Sequence, residues 1–168
     1  MNEAVVAELY RANIQAARAF AVAITGDPST AEDLVQDAFV RCARRLATLR
    51  DRDSFRTYLL RAVANAANSY YRRRQIERRS LVRLAATASA EDGAEAPSEL
   101  AQREPLLAAL RTLPVRQRTA VAARFLLDWS EAQTAEAMNC RVGTVKSLTS
   151  RGIAALRVQL AKENSPHA

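Results

Sequence analysis

Two sets of side chains in this 168-residue chain have the types and spacing to hold nucleic acid. Near the C-terminus, Lys146, Ser147, Ser150 and Arg151 form two pairs four residues apart, which a helix would gather on one face. Lysine meets phosphate as a point charge, serine reaches phosphate or base edges, and arginine can grip guanine through two parallel bonds. Upstream, Arg61, Asn65, Asn68 and Arg72 recur at spacings of four, three and four. An asparagine amide offers a donor and an acceptor to one base edge, while the arginines, with Arg73 and Arg74 beside them, would track the phosphates of a strand. Taken alone, each set also fits an ordinary solvated helix face.

Enzyme chemistry has no comparable constellation. His167 is the only histidine and sits one residue from the C-terminus; no nucleophile has a nearby base in sequence, and no glycine-rich loop could cradle a phosphate. Glu32, Asp33 and Asp37 superficially suggest a carboxylate site, yet capping and partner docking explain them more simply. Cys42 and Cys140 lie outside any Cys/His cluster, which argues against a zinc site or a disulfide framework. The chain is therefore expected to be non-enzymatic, with no cofactor and no metal. It has no basic-then-apolar leader and no membrane-length apolar run, so a cytoplasmic protein with reduced thiols and no membrane insertion is expected.

The elements that must position these residues read as helices throughout. Alanine and arginine are abundant and glycine occurs only four times, a mix that favours helix. A first helix is predicted from about Glu3 to Ile24, closed by Thr25-Gly26. Asp27-Pro28 then reads as an N-cap followed by proline at the first helical position, with an overlapping Ser29/Glu32 capping box. The second helix, about Thr30 to Leu49, buries Leu34, Val35, Ala38, Phe39, Cys42, Ala43 and Leu46 and turns Asp33, Gln36, Asp37, Arg41 and Arg44 outward. A polar connector at 50–54 leads into a third helix, about Phe55 to Arg79. Phe55, Tyr58, Leu59, Ala62, Val63, Ala66 and Tyr70 form its core face, opposite the asparagine stripe. Tyr70 is assigned to the core and Tyr71 is left open.

The pattern points to two small helical domains, residues 1–84 and 104–162, joined by a flexible linker at 85–103 and followed by a disordered tail at 163–168. Charge follows the same division: residues 1–83 carry a net +6, 84–104 a net −4, and 105–168 a net +5. Two basic blocks flanking an acidic strip suit a polyanionic partner better than uniform solubility charge does. In the second domain Ser130 and Gln133 have capping-box spacing, Asn139 suits a left-handed turn, and a new helix starts near Gly143-Thr144 and runs to about Leu160. Two helices joined this way make a helix-turn-helix, whose second helix enters the major groove. Val145, Leu148, Gly152, Ile153 and Leu156 form its inner arc.

These residues carry a resemblance. Leu113-Pro114-Val115-Arg116-Gln117-Arg118, Asp128-Trp129-Ser130 and Gly143-Thr144-Val145-Lys146-Ser147 resemble region 4 of sigma factors of the extracytoplasmic-function class. Thr25-Gly26-Asp27, Ala31 through Phe39, and Phe55 through Arg74 resemble region 2 of the same class, in the right order and spacing. The resemblance implies an all-α protein that binds core RNA polymerase and directs it to promoter DNA. It implies that Asp33, Gln36, Asp37, Arg41 and Arg44 dock on the β′ coiled coil, and that the C-terminal domain meets the β flap. Arg61, Asn65, Asn68, Arg72, Arg73 and Arg74 would capture the −10 element, with the 50–54 connector helping to pocket a flipped base. Thr144, Lys146, Ser147, Ser150 and Arg151 would read the −35 element. The acidic linker would thread toward the RNA exit channel, and an anti-sigma factor is the expected inhibitor.

Three positions depart from the family pattern. Arg141 stands where a small hydroxyl residue usually caps the recognition helix, leaving Thr144 to supply the cap. Leu148 replaces a commonly basic residue. Gly152 lies mid-helix, which should cost up to about 1 kcal/mol relative to alanine. A rival reading, a helix-turn-helix regulator that is not a polymerase subunit, explains the C-terminal domain but leaves Asp33–Phe39 and the asparagine stripe unexplained.

Overall fold

A computed structural model of the chain describes residues 3–45, 52–84 and 104–163, with side chains at 55–77 and 105–161 within the last two stretches. The acidic linker at 85–103, the connector residues Arg50 and Asp51, Leu46 through Leu49 and the tail at 164–168 lie outside the described residues. Among these, every regular element is a helix: α1 Glu3–Thr25, α2 Pro28–Ala43, α3 Arg52–Leu84, α4 Glu104–Thr112, α5 Val115–Leu126, α6 Glu131–Ala137 and α7 Val142–Glu163.

Helices α1, α2 and α3 form one unit around Phe20, Ile24, Val35, Phe55, Leu59 and Val63, all fully buried. The aromatic rings of Phe39 and Phe55 meet edge to face at 5.6 Å. The inner face expected for α2 is the buried one up to Ala43. On α3 the expected face packs inward, Tyr58, Ala62, Ala66 and Tyr70 being only partly covered. Leu60, Ala64 and Ala67 are buried as well, so this helix is covered on a broader arc than a single stripe. It also begins earlier than its hydrophobic pattern suggests: residues 52–54, expected in the connector, form its first turn. No glycine or proline interrupts them, and burial of Phe55 and Leu59 fixes the helix that they extend.

The α1–α2 corner is closed by local chemistry. Gly26 takes φ 70°, the left-handed conformation that ends a helix at little cost only for glycine. Asp27 caps α2, accepting from Thr30 N–H at 2.8 Å and Ser29 N–H at 3.4 Å. Bonds from Thr30 above all hold its carboxyl below the ordinary carboxylate range. The overlapping Ser29/Glu32 box does not form; Ser29 lies inside α2, and the Glu32 carboxylate takes Arg18 Nε at 2.8 Å and Gln36 Nε2 at 3.0 Å.

Helices α4 to α7 form the second unit. The α6 N-terminus carries the expected capping box, Ser130 Oγ accepting from Gln133 N–H at 3.1 Å and Gln133 Oε1 accepting from Ser130 N–H at 2.8 Å. Asn139 makes the inter-helix turn at φ 47°. Asp128, at φ 52°, makes a second left-handed turn before Trp129 that sequence reading did not anticipate. Helix α7 starts at Val142, one residue earlier than expected, with Arg141 O accepting from the N–H groups of Thr144 at 2.9 Å and Val145 at 3.2 Å. Thr144 therefore sits in the first turn and not at the cap. Gly152 is where α7 crosses α5: a Cβ there would lie 2.7 Å from Val121 Cγ2. The mid-helix glycine is the condition for that close approach.

The two units pack on each other through α1 and α3 on one side and α4, α5 and α6 on the other. The rings of Phe20 and Trp129 meet at 6.1 Å. Arg118 of α5, 7% exposed, sends Nη1 to Ile24 O of α1 at 2.7 Å and Nη2 to Arg111 O and Leu113 O at 2.9 and 3.0 Å. Its guanidinium thus satisfies carbonyls that two helix ends leave open. A neighbouring α1 carbonyl, Thr25 O, accepts from Tyr71 Oη at 2.7 Å. Burial raises the Tyr71 pKa and lowers that of Arg118, each group partly offsetting the other's shift.

Candidate nucleic-acid and partner interfaces

Helix α7 divides cleanly. Val145, Gly152 and Leu156 are buried, and Ile153 and Leu148 are half-buried. Lys146, Ser147, Ser150 and Arg151 are all exposed, while Thr144 is half-buried at the helix start. Lys146 Nζ is 3.6 Å from Glu131 Oε2 at the start of α6, an exposed pairing that holds the side chain near the first helix of the motif. Ser147 Oγ donates to Thr144 O at 2.9 Å. Two exposed arginines not singled out by sequence reading widen this basic face: Arg141 at the turn and Arg157 farther along the helix. Arg157 follows Ser150 by seven residues, two helical turns, so the same periodicity could have found it.

On α3, Asn65, Arg72 and Arg73 are exposed, and Arg61, Asn68 and Arg74 are half-buried. The stripe forms one wall of a cleft of about 850 Å³. Asn65, Asn68, Arg72 and Arg74 stand on that wall; Val115, Arg116, Met138 and Asn139 of the second unit stand opposite. Arg74 donates to Tyr70 Oη at 3.2 Å, its guanidinium 5.7 Å above the Tyr70 ring. That contact gives Tyr70 a second task besides packing and holds the Arg74 side chain against the ring. Arg61 is engaged more firmly: both terminal nitrogens meet the Glu136 carboxylate of α6, Nη1 on Oε1 and Nη2 on Oε2, the latter at 2.6 Å. The structure brings Asn65, Asn68, Arg72 and Arg74 to one cleft, while Arg61 carries the Glu136 carboxylate.

Asp33, Gln36, Asp37, Arg41 and Arg44 are all exposed on the outer face of α2. Val40 lies in their midst and is 49% exposed. An apolar side chain ringed by charges has the composition of a small interface core with a polar rim. Sequence reading missed Val40 although its register, four residues from both Gln36 and Arg44, places it there.

The acidic candidates do not converge. Among the described residues no group of three or more His, Cys, Asp and Glu could hold a metal ion. Cys42 is buried, which pushes its thiol up to about 11. Among the described residues no helix is long and apolar enough to cross a membrane.

Comparison with known proteins finds matches over both helical units. Residues 9–76 match the family model for Sigma-70 region 2, and residues 103–156 match that for Sigma-70 region 4. The RNA polymerase sigma-E factor of Streptomyces avermitilis is 34% identical over 134 residues, covering 80% of this chain and 73% of that protein. The extracytoplasmic-function sigma factor SigX of Bacillus subtilis is 28% identical over 137 residues, 78% of this chain and 71% of its own length. Among solved structures, the sigma factor RpoE of Bartonella quintana, crystallised with the anti-sigma factor NepR, superposes with a TM-score of 0.67 at 26% identity, over 88% of this chain and 91% of that one.

Proposed function

Because the chain belongs to the sigma-70 family, in its extracytoplasmic-function class, we propose that its three exposed polar faces divide the work of starting transcription at a promoter. The chain is an alternative sigma factor that directs promoter-specific initiation by RNA polymerase. The assignment of faces rests on one observation above others: both family regions fall, in order, on the two helical units that carry the exposed α3 stripe and the exposed α7 face.

The outer face of α2 docks on core polymerase. Its mixed charges suit a charged coiled coil such as that of β′, giving orientation and on-rate, while Val40 supplies an apolar anchor. The second unit engages the β flap. The α7 face reads duplex DNA at the −35 element: Arg151 and Ser150 reach base edges, Lys146 and Thr144 hold phosphates, and Ser147 lies between. The α3 stripe takes the −10 element once melted. There Asn65 and Asn68 bond the exposed edges of unstacked bases, and Arg61, Arg72, Arg73 and Arg74 follow the backbone. The protein is non-enzymatic, acts in the cytoplasm, and is restrained by an anti-sigma factor of the kind bound to the Bartonella relative.

Run-off transcription with purified core polymerase tests this reading. The chain is expected to form a stable complex with core enzyme and to support transcripts from its own promoter. Asn65→Ala should impair strand opening, read by permanganate footprinting, more than duplex binding. The regulator reading, which lacks an account of residues 9–76, forecasts DNA binding without any polymerase association.

A further inference from the structure

Lys146, assigned above to a phosphate of the −35 duplex, does not stand alone on its face. The Glu131 carboxylate lies 3.6 Å from its ammonium, and the two side chains are 39% and 64% exposed respectively. The backbone beneath each is fixed. Glu131 is the first residue of α6, directly after Ser130, whose reciprocal bonds with Gln133 set the chain there. Lys146 follows Val145, which is wholly buried. The pair therefore ties the two helices of the helix-turn-helix together at the end of α7 that enters the groove.

An exposed pair of this kind contributes little to stability, because water screens it and two long side chains lose freedom in holding it. Its consequence for DNA is larger. A carboxylate beside a phosphate-binding surface repels the backbone of every sequence, matched or not. A lysine ammonium on a flexible four-carbon stem, left to itself, finds a phosphate in almost any register. Phosphate contacts set the register of a protein on a duplex, and they do so sharply only when the cation is confined. Three N–H donors allow a confined ammonium to keep its carboxylate and still bond one phosphate.

We propose that Glu131 is a positioning residue for −35 recognition. It holds Lys146 so that the phosphate contact forms in the register where Ser150 and Arg151 meet base edges, and it penalises every other register. Specificity is a difference between two affinities, and this device enlarges it by weakening the wrong complex. The inference rests on the assignment of the α7 face to duplex DNA.

Holoenzyme reconstituted from the full-length chain and purified core polymerase provides the test. It selects duplexes from a randomised pool, and the recovered duplex is titrated beside a scrambled duplex of the same composition. Glu131→Gln should bind the scrambled duplex about three- to fivefold more tightly, while affinity for the recovered duplex changes by less than about twofold. The log–log salt slope on the scrambled duplex should steepen by up to about 0.9, one further phosphate being neutralised. Glu131→Asp, which keeps the charge, should retain most of the discrimination. In a Lys146→Ala background the Glu131→Gln effect on discrimination should shrink below about twofold. Tm should move by no more than about 1–2 °C in Glu131→Gln, whereas a purely structural pair would lower Tm and leave the salt slope alone. Undiminished discrimination in Glu131→Gln, an unchanged slope, or the same loss without Lys146 would each overturn the proposal. If wild-type holoenzyme enriches no duplex, or Arg151→Ala enriches the same one equally well, the α7 assignment itself falls and the proposal with it; a failure confined to the Glu131 variants leaves that assignment standing.

Discussion

Gly152→Ala sets two well-separated effects against each other. In an open helix the change gains up to about 1 kcal/mol, because alanine is the better helix former. Here the added Cβ would lie 2.7 Å from Val121 Cγ2 and 3.6 Å from Gln117 Cβ and Gln117 O. The first distance is shorter than packed carbons tolerate, and Val121 is itself buried, 7% exposed. Its β-branched side chain has few alternative rotamers in a helix. Overpacking of this kind costs about 1–3 kcal/mol, so the net expected loss is about 1–2 kcal/mol, a fall of roughly 2–8 °C in Tm for a chain of this size. Urea and thermal denaturation followed by circular dichroism measure it. Val121→Ala in the same chain removes the obstructing methyls, so the double variant should be more stable than the sum of the singles by about 1 kcal/mol. A Gly152→Ala protein as stable as the wild type, or more so, would refute the claim that α7 needs a glycine to seat on α5.

Other consequences are more direct. Arg151→Ala should weaken binding to a duplex containing the −35 element by about 1–3 kcal/mol while leaving association with core polymerase intact, as read by fluorescence anisotropy and co-elution. Asp27→Ala should cost about 1 kcal/mol at neutral pH through loss of the α2 cap. Because the folded state depresses the Asp27 pKa, that contribution is complete above the unfolded value near 4 and disappears as pH falls through the lowered folded value; stability curves of variant and wild type should therefore converge in acid. Cys42, with its thiol pushed up to about 11, should resist iodoacetamide at pH 8 under native conditions, while half-buried Cys140 reacts first. Mass mapping of the labelled peptides decides this.

Much of the architecture was legible because its causes are local. The 100° periodicity separated Leu34, Val35 and Ala38 from Asp33, Gln36 and Asp37 on α2, and Val145 and Leu156 from Lys146 and Arg151 on α7; side chains three or four residues apart must share a face. Ser130 with Gln133, Asp27 before Pro28, and Gly26 announced helix ends through bonds that span a few residues. What escaped has distant causes. Nothing around Arg118 marks it as buried, since one of its acceptors, Ile24 O, lies 94 residues away. The Arg61–Glu136 pair spans 75 residues, so a stripe that looked free to meet a strand is partly occupied. Gly152 read as a cost in helix propensity until Val121 was seen across from it. Asp128 in a left-handed turn gave too weak a signal, being a residue common in ordinary turns as well.

Trp129 is the only tryptophan in the chain, and it lies against Phe20 of the opposite unit while remaining 6% exposed. The molecule therefore carries an intrinsic optical gauge of its own articulation. Solvent reaching one face of that indole would shift its emission to longer wavelength, so binding partners that pry the halves apart can be distinguished from those that clasp them together without attaching any dye.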